Sequence, residues 1–178
     1  MMCCKTPSIK ELEKPPGVWC RHAVAGKGCG IYQNRPAVCQ TFYCHWMLNP
    51  HLGPEWKPDR AKFVLYGSAP SGGRQVIHIA VDPSFPNAWT KPPYFAEIKK
   101  WVRDGVEQDR LLLVLVQIGA RSIGVLPDRI VELGNIDPQV PMVLSRKRGP
   151  AGYTYEIKRS ETAPEVCGIS GENLTSLP

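Results

Sequence analysis

Six of the chain's seven cysteines fall within its first 44 residues, at Cys3, Cys4, Cys20, Cys29, Cys39 and Cys44, in a stretch with little periodic apolar pattern. Such a segment has too few apolar side chains to order itself by burial, so something else must offset its chain entropy. Thiolates can do this. They are the soft anionic ligands that zinc and iron–sulfur centres select, and several converging on one centre close loops whose freedom would otherwise oppose folding. The expectation is a cysteine-rich, metal-stabilised module over residues 1–60 with little regular structure, turning at Lys14-Pro15-Pro16-Gly17, Gly26-Lys27-Gly28, Asn34-Arg35-Pro36 and Asn49-Pro50.

A disulfide framework fits poorly, because the total is odd and Cys3 and Cys4 are adjacent. The N-terminus also lacks the basic start and apolar core of a secretory signal, which points to a cytoplasmic protein whose thiols stay reduced. The longest apolar run, Leu111 to Val116, is far short of the roughly twenty residues that cross a bilayer, so no membrane partner is expected. The formal charge of +6 overstates the basicity, since bound thiolates would cancel much of it. The one dense basic run, Arg146-Lys147-Arg148, reads as a solvated turn beside Gly149-Pro150, which argues against a nucleic-acid partner.

From residue 61 the pattern becomes that of an ordinary α+β domain, expected over 61–158 as a small antiparallel sheet with at least one helix. Phe63–Tyr66 and Gln75–Asp82 read as a hairpin across the Gly-rich loop 67–74. Phe95, Ile98, Trp101, Val102 and Val106 form one stripe of a helix over 94–107, behind the start signal Pro92-Pro93. Leu111–Ile118 and Arg121–Leu126 read as paired strands about Gly119-Ala120, and Val140–Leu144 and Tyr153–Ile157 as edge strands. Ala37–Trp46 reads as one short helix carrying Cys39. The polar stretch 159–178, which includes Cys167, has no apolar period and reads as a flexible tail with a free thiol.

The candidate metal ligands are Cys3, Cys4, Cys20, Cys29, Cys39 and Cys44, with Cys20, Cys29, Cys39 and Cys44 expected to be central. Consecutive side chains diverge, so Cys4 is preferred to Cys3 at any single ion. His22 and His45 follow cysteines closely, but the thiolates already suffice for four-coordination, and a histidine making an ordinary hydrogen bond is the simpler reading. Trp19, beside Cys20, is expected to shield sulfur from water, and Arg35 and Tyr32 to support the site without binding metal. A thiol nucleophile is disfavoured, because Cys44-His45 and Cys20-Arg21-His22 are too close in sequence to form an activated pair. The loop 67–74 lacks the lysine that a phosphate-binding loop needs.

The run Cys29-Gly30-Ile31-Tyr32, then Arg35-Pro36-Ala37-Val38-Cys39, with Cys44 soon after and the pair Cys3-Cys4 before, resembles the YkgJ-like cysteine-cluster family. That resemblance covers residues 3–46 and implies a zinc- or iron-chelating protein. Zinc is placed ahead of an iron–sulfur cluster because it needs no assembly machinery. The family pattern has two further cysteines just upstream of Cys3, so the resemblance leads to the expectation of an upstream extension with additional ligands. Some relatives with this pattern are flagellin lysine methylases, longer proteins, so a metal-dependent modifying enzyme and a protein-interaction module stand as the alternative functions. Whether the chain is an enzyme is left open by its residues.

Overall fold

The computed structural model describes residues 1–68, 75–108, 112–136, 140–150 and 152–159. Its N-terminal part is built from tight turns and very short elements: strands β1 (Ala23–Val24) and β2 (Gly28–Cys29), then helices α1 (Ala37–Thr41), α2 (His45–Leu48) and α3 (Pro58–Ala61). Strands β3 (Phe63–Ser68) and β4 (Val76–Val81) follow, then helix α4 (Tyr94–Glu107), then β5 (Leu113–Ile118), β6 (Arg121–Val125), β7 (Ile130–Asn135), β8 (Met142–Gly149) and β9 (Gly152–Arg159). The expected helix over 94–107 and the two expected hairpins, β3–β4 and β5–β6, are present.

One sheet runs β3-β4-β5-β6-β7, and its pairs are antiparallel except β4 with β5, which are parallel. The purely antiparallel sheet expected from the sequence is therefore corrected to a mixed one. The reason lies between the two strands: α4 carries the chain back along the sheet, as a parallel connection requires. Both strands are buried on both faces, which explains their continuous Val, Ile and Leu content.

One face of the sheet, bearing Phe63, Leu65, Ile77, Ile79, Val114 and Val116, packs against Ile98 and Val102 of α4 and against Trp56 and Trp89. Gly105 brings α4 close to the start of β5, since a Cβ there would stand 2.6 Å from that of Leu112. The opposite face, with Val76, Leu113 and Leu115, is covered by Met142 and Leu144 of β8 and by Tyr155 and Ile157 of β9. Ile98 is fully buried, so Ile98→Val should remove one methyl from a filled site and lower stability by about 1 kcal/mol, measured as a lower urea midpoint at unchanged slope.

Three further expectations change. Residues 37–46 form two helices, because Phe42 is extended and sends its ring onto Tyr66, 5.6 Å between centroids. Arg146-Lys147-Arg148 belongs to β8, not to a turn, and pairs with Tyr155, Thr154 and Tyr153 of β9. Strand β7 was not foreseen, since only Val131 and Leu133 turn inward and the other positions are exposed. The loop at 69–74 and the stretch 160–178, with Cys167, lie outside the described residues.

The N-terminal part wraps the edge strand β3. Trp46, Leu52, Trp56 and Ala61 join the core on one face of that strand, and Phe42 meets Tyr66 on the other. Lys5 reaches the end of β4, where its ammonium lies 2.7 Å from both carboxylate oxygens of Asp82. The sequence boundary drawn at residue 60 falls inside α3.

Candidate metal centre

Backbone hydrogen bonds stitch the cysteine-bearing turns together. A 3-10 turn at Met2–Cys4 presents the first pair, and the Cys20 amide donates to the carbonyl of Cys4 at 2.8 Å. The Ala23 amide then donates to the Cys20 carbonyl at 2.9 Å, and Ala23 is the register partner of Cys29 across the β1–β2 hairpin. Gly30 closes the far side with a 2.8 Å bond to the His22 carbonyl, while α1 carries Cys39. Cys3, Cys4, Cys20, Cys29, Cys39 and Cys44 are all free thiols, with Cys20 and Cys44 buried and Cys3 exposed.

The electrostatics report the same gathering. The Cys4 thiol donates to Cys3, and this bond, helped by the N-terminal ammonium, lowers Cys3 to about 6. Cys4 is correspondingly raised, first by that bond and by burial, then by the charges of Cys3, Cys29 and Cys20. Cys39 is raised by burial and by Cys20, Cys29 and Cys3. Cys44 is raised mainly by burial, opposed by amides at the start of α2, with Cys3 as the thiol that contributes. The charges of Cys3, Cys20 and Cys29 act on both Cys4 and Cys39, and that of Cys3 acts on Cys44. Thiolates so placed repel one another, and a bound dication inverts that balance. Among the described residues, no three or more His, Cys, Asp and Glu side chains form a group already disposed to hold a metal ion.

Lys14 is the residue that the sequence did not single out. Its side chain is buried at 6% exposure, and its ammonium donates to the carbonyls of Lys5 at 2.8 Å, Pro7 at 2.5 Å and Pro15 at 3.1 Å. All three N–H groups are used, so one side chain pins the loop between the first cysteines and Cys20. Burial lowers its pKa, while the charges of Cys20, Cys4, Cys3 and Cys39 push it back up. Lys14 thus brings a buried positive charge into the cysteine-bearing segment. The signal available in the sequence was charge arithmetic: a segment dense in thiolates needs a cation, and Lys14 was read only as part of a turn.

The Arg35 guanidinium stacks over the Tyr32 ring at 4.0 Å. Its pKa is raised first by a hydrogen bond with Tyr32, and the charges of Cys29 and Cys39 add to this. His22 accepts from Arg21 Nε at 3.3 Å. His45, the first residue of α2, is buried, and burial depresses its imidazole to about 4. Trp19 is half exposed, with the Lys5 ammonium 5.7 Å above its ring.

Comparison with known protein families, with curated proteins and with solved structures returned no match. Among the described residues, no helix is long and apolar enough to cross a membrane.

Proposed function

We propose that this protein binds zinc or an iron–sulfur cluster through Cys4, Cys20, Cys29 and Cys39, with Cys3 and Cys44 as flanking thiols, and that the centre orders residues 1–44 in the cytoplasm. The observation that carries this reading is the backbone-bonded chain from Cys4 to Cys20 to Ala23 and Cys29, which brings distant cysteines into one another's field. The family resemblance of residues 3–46 supports cysteine ligation by all six of these thiols without ranking them. Four soft donors around one centre match the chemistry of either metal, and Lys14 and Arg35 offset the remaining negative charge.

Elemental analysis and an absorption spectrum of the anaerobically purified protein test this. Stoichiometric zinc without colour, or iron with visible charge-transfer bands, is the expected result; protein free of both after purification and after reconstitution overturns it. Arg35→Ala should weaken metal affinity about tenfold without abolishing it, as loss of a supporting residue does, and competition with a chromogenic chelator measures this.

A further inference from the structure

A cavity of about 330 Å³ opens between the segment that follows α2 and helix α4, away from the cysteine cluster. That volume is within the range of sites that hold small molecules. Its walls are aromatic: Trp56 and Trp101 stand 5.1 Å apart between centroids at an interplanar angle of 35°. Its charge comes from two carboxylates, Glu55 on the 3-10 turn Pro54–Trp56 and Glu97 on α4. Glu97 and Trp101 are four residues apart and so share one face of the helix.

Among the described residues no lysine or arginine lines this cavity, whose basic groups are the imidazoles of His45 and His51. The nearby cations are engaged elsewhere, Lys100 with Asp104 at 2.8 Å and Lys57 with Asp59 at 3.7 Å. Glu55 is held by the local backbone, since its carboxylate folds over Gly53, where a Cβ would stand 2.5 Å from both oxygens. His45 also lines the cavity. It is 4% exposed, and its Nε2 is buried without a hydrogen-bond partner. Among the described residues neither carboxylate is in an ion pair, although the charge of Glu97 acts on Lys100 one turn along α4; paired indoles, these carboxylates and the unpartnered imidazole nitrogen make a site complementary to one chemistry.

We propose that this cavity binds a small organic ammonium ion, its positive head held by Glu55 and Glu97 and its apolar part packed on Trp56 and Trp101. Ring faces attract a cation by their quadrupole, and the half-buried Glu55 and exposed Glu97 carboxylates at its rim accept charge-assisted hydrogen bonds from its N–H groups. An anion would meet the carboxylates directly, and a neutral analogue would leave them unpaired.

Titration of the full-length protein with phenethylammonium, phenethyl alcohol and phenylpropionate, followed by calorimetry and tryptophan fluorescence, tests the assignment. The ammonium compound should bind saturably and about tenfold or more tightly than the alcohol, with no binding of the carboxylate. Glu55→Gln and Glu97→Gln, both at positions with solvent access, should each weaken it about tenfold at unchanged melting temperature. Gly53→Ala provides an independent arm: its backbone suits alanine, but the new Cβ displaces the Glu55 carboxylate, so it too should weaken binding. Equal affinity for ammonium and alcohol, absence of saturable ammonium binding, or full affinity in a folded Glu55→Gln/Glu97→Gln double variant would overturn the proposal.

Discussion

With Cys20 a ligand of the proposed centre, its replacement by serine should release the metal and unfold residues 1–44 while the sheet formed by β3 to β7 persists. Cys20 is buried at 7% exposure, and its amide is bonded to the carbonyl of Cys4, so it stands at the join between the first cysteine pair and the β1–β2 hairpin. Binding free energy at a structural thiolate centre is largely folding free energy, on the order of 10 kcal/mol for zinc, and a serine hydroxyl does not replace a thiolate donor. The sheet has its own core in Phe63, Ile79, Ile98 and Val114, which does not depend on the thiols. Metal per chain and hydrogen exchange check both halves of the result. In the Cys20→Ser protein the amides of position 20, Ala23 and Gly30 should exchange rapidly, whereas those of β4 and β5 should stay protected. Stripping the wild-type protein with a chelator should reproduce the pattern. Full metal content in Cys20→Ser removes Cys20 from the ligand set. Retained protection in the stripped protein would instead assign the order of this segment to Lys14 and the Lys5–Asp82 pair.

What could be read from the sequence follows from which interactions are periodic. Helix α4 was legible because its burial repeats every 3.6 residues, and strands β3 to β6 because burial on both faces leaves short apolar runs bounded by turn residues. The parallel pairing of β4 with β5 was missed because the apolar runs alone carry no direction; the crossover helix between them was the available clue. Within the candidate centre, residue type was legible and convergence was not. Cys20, Cys29, Cys39 and Cys44 were named by type alone, and the backbone bond that ties Cys4 to Cys20 across fifteen intervening residues leaves no mark in the spacing. Lys14 and the cavity between Glu55 and Glu97 were invisible for the same reason. Each depends on groups from separate turns meeting in space, and no local spacing records that.

Acid should loosen the N-terminal segment from the sheet through Asp82. Lys5 lies 2.7 Å from both oxygens of this carboxylate, and the Ser84 amide donates to one of them at 2.9 Å. The two side chains are only 15% and 6% exposed, so the pair is poorly screened. Burial alone pushes the Asp82 carboxyl up, but the Lys5 ammonium and the Ser84 amide together outweigh it and hold the group below its usual value. A folded-state pKa below the unfolded one contributes stability that is fully present above about pH 4 and is lost as pH falls through the folded value. The wild-type protein should therefore lose stability below about pH 4, and Asp82→Asn should flatten that slope. Lys5→Met should be the more damaging change at neutral pH. It leaves a buried carboxylate without its counter-charge, at a cost near the low end of about 3–5 kcal/mol because Lys5 retains some contact with water. Its acid dependence should reverse, since the Asp82 carboxyl is then raised by burial and protonation relieves the strain. Adding Asp82→Asn to Lys5→Met should recover part of the loss, and the double-mutant cycle in denaturant, run at pH 7 and pH 3, measures the coupling. A coupling near zero at pH 7, or identical acid slopes for wild type and Asp82→Asn, would show that the segment is held to the sheet by the packing of Trp46, Trp56 and Phe42 and not by this ion pair.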